Sequence, residues 1–346
     1  MASLLPMVTS TALPVSPPQD RRGSCALWPG GEWIHCSDRV AGTSYNEGAI
    51  LSENPAEVPV SDADLCAVLA QEMASYSALR SALPPHYPAG IATWGLMQEF
   101  DRARKKPGGH WHLTNLPYTL YLANQKKWPK ANQLAGSVLA TLDRFCSEFS
   151  AVPRFQDVLR PLAKGIWKQD DPEFWSVFAH ASVTLLLHDK GFEIREFSAP
   201  MPGGHKDADI LVRSPLALKT SVGLDMFLDI VMKHRPTFRT VEEAREELHR
   251  HAESKASSKF SDAMKHGIQA IVIVVCVVSG KQMEVLLQDP NLLSAIDGPT
   301  LERPENLHVA YFAMSGARQD GRSSWRLFSR AELAVATPAP LEPPRS

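Results

Sequence analysis

One segment near the end of the chain restricts the fold more than any other. Ile268–Val278 is almost entirely apolar, rich in β-branched residues and free of charge. A strand of this composition is typical of the centre of a parallel or mixed sheet, where helices cover both faces. Its unbroken apolar part, Ile271–Val278, is far shorter than the roughly 20 residues that span a bilayer. The segment therefore predicts an α/β protein and no membrane partner.

The composition agrees with a globular protein. Of the 346 residues, 44% are hydrophobic and 21% are charged, and the formal net charge is -2. These values exclude wholesale disorder, collagen, coiled coil and a polycation that coats nucleic acid with its whole surface. The five cysteines form no C-x-x-C pair, which excludes a zinc ribbon and favours a reducing compartment. The N-terminus has no early basic residue before an apolar stretch, so we expect a cytoplasmic protein.

Local patterns divide the chain into four regions. Prolines interrupt both ends, a helical pattern fills the second quarter, and helices alternate with strands after it. The expected regions are a disordered tail over 1–60, a helical domain over 61–168, an α/β domain over 169–335 and a second disordered tail over 336–346.

Element by element, the same patterns place helices and strands. In the helical domain we expect a helix capped by Ser61-Asp62-Ala63-Asp64, then helices over Thr93–Arg104 and Ala131–Phe149. In the α/β domain a helix starts at Asp171 and ends at Gly191. The elements expected after it are strands over Phe192–Phe197, Ala208–Arg213 and Gly223–Met232, a helix over Val241–His266, the strand Ile268–Val278, and edge strands over Val285–Leu287 and His308–Met314.

Two aspartates in these strands are candidates for chemistry. Asp209 follows a glycine turn and begins an otherwise apolar strand, a position that suits a metal-binding carboxylate. Asp229 stands in the middle of the apolar segment Phe227–Met232, where a charge is costly unless a cation or donor meets it. The alternatives are a charged turn for Asp209 and a structural salt bridge for Asp229.

The helix that starts at Asp171 carries two further candidates. Glu173 and His180 are seven residues apart, a spacing that places them on one helix face. A histidine that only packs in the core is the alternative interpretation for His180.

The order of these elements resembles that of the PD-(D/E)XK nuclease superfamily, with its restriction-endonuclease-like and repair-nuclease branches. The resemblance covers about a third of the chain, residues 172–280. It is carried by the Asp171 helix, Gly191-Phe192-Glu193-Ile194, Lys206-Asp207-Ala208-Asp209-Ile210, the Asp229 strand, the helix with Lys255, Lys259 and Phe260, and the apolar strand Ile268–Val278. The resemblance implies a restriction-endonuclease-like mixed sheet flanked by helices, preceded here by the N-terminal helical domain.

The family's chemistry implies roles for these residues. In the family, two carboxylates hold Mg²⁺ or Mn²⁺ beside the scissile phosphate, and a lysine orients the attacking water. Carried over by position, Asp209 and Asp229 match the two metal ligands. Glu173 or His180 would stand in for the family's optional helix glutamate.

The family's lysine has no direct match in this chain. It is expected two residues after the second acid, where this chain has Val231. Lys233 is on the same face of the strand, but four residues from Asp229 is roughly 13 Å of backbone. Lys206 and Lys219 are the other candidates.

The expected function is metal-dependent hydrolysis of nucleic-acid phosphodiesters, as an endo- or exonuclease, with DNA favoured over RNA. The alternative is a catalytically inactive protein of the same fold that binds nucleic acid or another protein.

The proline-rich N-terminal tail leads to a first prediction. Residues 1–60 hold too few periodic apolar positions to build a core. A chain that starts at Val60 should therefore keep the thermal transition of the full chain in a melting curve. Loss of cooperative unfolding after this truncation would show that the tail packs.

Overall fold

The computed structural model describes the chain in twelve ranges. They are 39–40, 43–44, 61–88, 116–124, 129–167, 172–202, 206–214, 225–234, 236–260, 267–294, 307–319 and 322–330. The predicted helix Thr93–Arg104, the C-terminal tail and most of the N-terminal tail lie outside these ranges. Within the N-terminal tail, strands β1 (Arg39–Val40) and β2 (Thr43–Ser44) pair as a short antiparallel ribbon.

The centre of the protein is a mixed sheet of six strands. They are β3 (Glu193–Pro200), β4 (Asp207–Arg213), β5 (Asp225–His234), β6 (Gln269–Val277), β7 (Leu307–Gln319) and β8 (Arg322–Phe328). The strands lie side by side in chain order. The first three pair antiparallel, β5, β6 and β7 pair parallel, and β8 returns antiparallel to β7. The prediction of an α/β protein with a mixed sheet is confirmed.

Helices cover the sheet. They are α1 (Asp62–Met73), α2 (Ser77–Ala82), α3 (Leu116–Asn124), α4 (Pro129–Phe149), α5 (Phe155–Trp167), α6 (Pro172–Asp189), α7 (Val241–Lys255) and α8 (Gly280–Gln288). A π-helical turn, Ala256–Phe260, continues α7, and a 3₁₀ turn, Pro290–Leu292, follows α8. None of these helices is both long and apolar enough to cross a membrane, among the residues that the structure describes.

Strand β6 separates two hydrophobic clusters, as its composition predicts. Ile271, Ile273 and Val275 belong to a cluster with the buried residues of α1–α6. The alternate residues Val272 and Val274 belong to a second cluster, with the buried residues of α7 and α8. Because successive side chains point to opposite faces, this alternation shows that both faces of the strand are covered. The helices of the predicted helical domain thus share a core with the sheet.

Two local predictions have different outcomes. Gly191 ends α6 with a φ of 85°, a conformation that favours glycine, so the predicted helix end is confirmed. The predicted strand Val285–Leu287 is wrong, because these residues lie in α8. Ser279 and Gln282 form a capping box at the start of this helix, and Met283 and Leu286 are buried at helical spacing.

A side chain of helix α4 forms a hydrogen bond with the edge strand of the sheet. Ser137 Oγ accepts a hydrogen bond from the Trp325 N–H of β8 at 2.8 Å and donates to Leu134 O at 2.7 Å. The Trp325 ring lies against Trp175 of α6, with ring centroids 4.7 Å apart. The predicted helical domain and the sheet are therefore in direct polar contact.

This contact predicts the effect of removing the Ser137 hydroxyl. Ser137→Ala should lower the free energy of unfolding by about 1–2 kcal/mol, because the Trp325 N–H loses its acceptor in a partly buried place. Urea unfolding followed by far-UV circular dichroism measures the change, which should shift one common transition. Ser81→Ala is the matched control, since that hydroxyl is exposed and donates to Ser77 O in its own helix. Two separate transitions, of which only one shifts, would contradict a shared core.

Candidate functional site

The two predicted aspartates lie where strands β4 and β5 separate. The β4–β5 pairing runs from Arg213 opposite Asp225 to Ile210 opposite Leu228. One residue beyond it, Asp209 Oδ2 accepts a hydrogen bond from the Ile230 N–H at 2.7 Å. The Asp209 carboxylate, rather than a backbone carbonyl, thus accepts the Ile230 N–H at the point where the two strands separate.

Asp229 is a fully buried charge in the middle of the sheet. Its side chain has 0% exposure, and Val272, the residue opposite it on β6, is also buried. Lys259 Nζ donates to Asp229 Oδ1, and Lys255 Nζ lies 3.0 Å from Oδ2. A carboxylate in such a place is tolerated only when cations compensate it. Asp229 therefore forms salt bridges with two lysines, as its alternative interpretation expects.

Lys259 joins the two aspartates. Its Nζ also lies 3.3 Å from Asp209 Oδ1, so both carboxylates converge on one ammonium group. The Lys259 side chain is 10% exposed, whereas Asp209 is 31% exposed. The cluster therefore extends from the buried centre of β5 toward solvent at Asp209.

The turn after α7 sets the position of Lys259. Thr240 caps the start of α7 through the Glu243 N–H, and the helix runs to Lys255 before it widens into the π turn. Lys206 Nζ donates to Ser258 O in this turn at 3.0 Å. Local π-helical turns are frequent at functional sites, since they re-aim side chains that a regular helix would direct elsewhere.

Burial and the neighbouring charges both shift the pKa values of this cluster. Burial raises the pKa of Asp229, and so does the nearby charge of Asp209, while Lys259 and Lys255 lower it by less. Burial lowers the pKa of Lys259, but the two aspartates raise it above its ordinary value on balance. The ammonium of Lys259 is therefore held in its charged form between the carboxylates.

His180 reaches the same neighbourhood from helix α6. Its ring lies 5.8 Å from the Phe197 ring, and its Nε2 is buried with no hydrogen-bond partner among the described residues. Burial lowers the His180 pKa to about 4; the Asp229 charge opposes this shift and the Lys259 charge adds to it. His180 is therefore neutral near pH 7, and its pKa responds to the charges of Asp229 and Lys259.

Two of the other predicted lysines, Lys233 and Lys206, have different partners. Lys233 Nζ lies 3.3 Å from Glu247 Oε1 on α7, so its side chain is directed away from the aspartates. Lys206 contacts the π turn rather than either carboxylate. The side chain of Glu173 and all of Lys219 lie outside the described residues.

Lys255 and Lys259 carry part of the family resemblance, but the sequence reasoning assigned neither of them a role in the site. They are four residues apart on the predicted helix before the apolar strand, and in a regular helix this spacing places side chains on one face. That spacing is the available signal, but many surface lysines show it. Only the packing of α7 against β5 brings these two to Asp229.

The donors for a metal ion are two carboxylates. Within the described ranges, no three His, Cys, Asp or Glu side chains converge on a common metal position. Asp229 Oδ2 is buried and accepts no hydrogen bond from a described residue; its contact there is the ion pair with Lys255. A hard oxygen donor is thus available to a cation that displaces this lysine.

Comparisons with known proteins return no match from protein-family models, curated proteins or solved structures.

The neutral, buried state of His180 predicts a pH dependence of stability. Its folded pKa of about 4 lies below the ordinary 6.5, so the unfolded state binds the proton more readily. The resulting stability is complete above pH 6.5 and is lost as the pH falls toward 4. At pH 5 the loss should be about 2 kcal/mol.

Chemical denaturation at pH 7 and pH 5 measures this loss. His180→Gln should remove most of the difference between the two pH values, whatever its effect at pH 7. The exposed His86→Gln is the matched control and should keep the wild-type difference. Equal pH dependence in wild type and His180→Gln would show that another group is responsible.

Proposed function

We propose that this protein is a metal-dependent nuclease of the PD-(D/E)XK type, with DNA as the favoured substrate and Asp209, Asp229 and Lys259 in its active site. The observation that carries the proposal is the convergence of two carboxylates from adjacent strands on one lysine, at the point where those strands separate.

The topology supports the proposal. Helix α6, the antiparallel strands β3–β5, helix α7 and the parallel strand β6 follow one another in the order that the family resemblance requires. The two aspartates lie on the second and third strands of this unit, as the family's two acids do. We therefore propose that the observed mixed sheet and its helices form a restriction-endonuclease-like fold.

The donor set suits Mg²⁺ or Mn²⁺. These ions prefer oxygen ligands, and Mg²⁺ commonly takes one or two carboxylates and fills its other positions with water and substrate phosphate. Asp209 and Asp229 would supply the two carboxylates. When bound, the ion would lower the pKa of a water molecule and stabilise the charge that develops on the phosphate.

Lys259 fills the chemical role that Val231 leaves open. The Lys259 pKa is raised, so its ammonium stays charged, and it contacts both carboxylates from a turn rather than from the strand. A charged donor in this position can orient a water molecule and balance negative charge on a phosphate. Lys206 supports this placement through its hydrogen bond to Ser258 O.

A catalytically inactive protein that binds nucleic acid or another protein is the second candidate. The closed ion pairs of Asp229 with Lys255 and Lys259 favour it, since they compensate the buried charge without a metal ion. The two candidates differ in their response to metal ions and in cleavage.

The proposal predicts cleavage of labelled DNA or RNA with Mg²⁺ or Mn²⁺, measured by gel electrophoresis of the products. Asp209→Asn, Asp229→Asn and Lys259→Met should each lower the rate by about 100-fold or more, the scale found when one charge-stabilising group is removed from an active site. Asp225→Asn is the matched control: Asp225 forms an ion pair with Arg213 across the same two strands, away from the site, and its loss should leave cleavage unchanged.

Melting curves with and without metal separate catalysis from folding. Asp229→Asn should lower stability by about 3 kcal/mol without metal, because it strands two ammonium groups around a buried amide. Asp209→Asn should cost much less, because Asp209 is partly exposed, so it is the cleaner test of activity. A wild type that neither responds to metal nor cuts any substrate would favour the binding protein. Full activity of Asp209→Asn would remove this site from the reaction.

A further inference from the structure

The four charged side chains of the cluster are balanced in the absence of metal. Two carboxylates, Asp209 and Asp229, face two ammonium groups, Lys255 and Lys259. A divalent cation between the carboxylates would add two positive charges next to both lysines. Like charges this close repel strongly in a poorly hydrated site, so an ammonium group has to move away when such an ion binds.

The two lysines differ in their freedom to move. Lys259 is 10% exposed, contacts both carboxylates and stands next to Ser258, which Lys206 holds by a hydrogen bond. Lys255 is 36% exposed and contacts Asp229 through Oδ2. Its long side chain can turn to solvent at little cost, and it would leave behind the one oxygen of Asp229 that accepts no hydrogen bond from the described residues.

An ammonium group displaced in this way requires a new partner. Besides the two carboxylates, the anion that lies next to a bound metal ion in a nuclease is a phosphate of the substrate. A lysine binds phosphate as a point charge. Lys255 would therefore leave a carboxylate and take a phosphate. This exchange makes the binding of metal and of nucleic acid mutually favourable. The metal ion frees Lys255 from Asp229 for the phosphate, and the phosphate gives the displaced Lys255 a new partner.

We infer that Lys255 is a counter-ion switch. It occupies the metal-binding oxygen of Asp229 when nucleic acid is absent and binds the substrate's phosphate when metal is present, so that the protein takes up metal efficiently only together with nucleic acid. The inference rests on the proposed nuclease function. It assigns to Lys255 a role in metal uptake that is separate from the role of Lys259 at the reacting phosphate.

The test is a Mn²⁺ titration followed by electron paramagnetic resonance of the free ion. Wild type is titrated alone and with a double-stranded oligonucleotide that carries hydrolysis-resistant phosphorothioate linkages. The Mn²⁺ bound by the oligonucleotide itself is measured with the Asp209→Asn protein and subtracted. We expect wild type to bind Mn²⁺ about tenfold more tightly with the oligonucleotide than without it, in the range of ordinary coupling between two ligands.

The decisive variant is Lys255→Met. Without the oligonucleotide it should bind Mn²⁺ about tenfold more tightly than wild type, and the oligonucleotide should then raise the affinity by clearly less than it does for wild type, because only direct phosphate ligation remains. Lys255→Gln, which keeps a polar side chain without the charge, should behave in the same way. Lys281→Met on α8, an exposed lysine on another helix, is the matched control and should retain the wild-type coupling. Melting curves verify that each variant is folded.

The failures of the two proposals are distinguishable. If wild type binds Mn²⁺ and cuts DNA but Lys255→Met binds Mn²⁺ no more tightly than wild type, the switch is wrong and the nuclease stands. Unchanged coupling in both Lys255 variants would have the same meaning. If no protein binds Mn²⁺ with or without the oligonucleotide, both proposals are wrong.

Discussion

The buried carboxylate of Asp229 is the interaction on which the arrangement of this site depends. It stands at 0% exposure in the third strand of the central sheet, beside a strand of buried aliphatic residues. A lone charge there would cost several kcal/mol. Its compensation requires the end of α7 to lie over the middle of β5, so one side chain fixes where the helix, the π turn and two lysines must be.

The π turn supplies the geometry for this compensation. Lys255 is the last residue of the regular helix and Lys259 lies in the π turn, so the step between them does not follow regular α-helical geometry. The wider turn over Ala256–Phe260 then coincides with the arrival of Lys259 at both carboxylates, while Phe260 is buried at 0% exposure in the second cluster. The burial of Phe260 and the hydrogen bond from Lys206 to Ser258 O both stabilise the position of the π turn.

The sequence predicts the parts of this fold that depend on local patterns. The buried strand β6, the helix end at Gly191 and the cost of a charge at Asp229 all follow from residue type and spacing. The three apolar residues Val285–Leu287 predict a strand where the chain forms helix α8, although Ser279 and Gln282 carry a helix-start signal. Strand β8 is not predicted from the sequence, because its alternation of polar and apolar residues is weak.

The lysines of the site required three-dimensional information. Lys233 is at a position of β5 whose side chain shares a face with Asp229, but its ammonium group forms an ion pair with Glu247 on α7. Lys255 and Lys259 come from an element 26 to 30 residues later in the chain than Asp229, and nothing in their local pattern distinguishes them from solvated lysines. Spacing along the chain predicts which side chains share a face of one element; it does not predict which two elements meet.

The composition of the cluster bears on whether it serves stability or function. Replacement of a buried ion-pair network by apolar side chains is often neutral or stabilising, so a fold gains little stability from four charges between a sheet and the helix that covers it. A single lysine would be enough to compensate Asp229, yet Asp209 brings a second carboxylate to the same ammonium and raises the pKa of the first. Converging like charges with shifted pKa values are characteristic of sites that bind cations or transfer protons. In the function proposed above, Asp209 is the second carboxylate for the cation, in addition to its hydrogen bond with the Ile230 N–H.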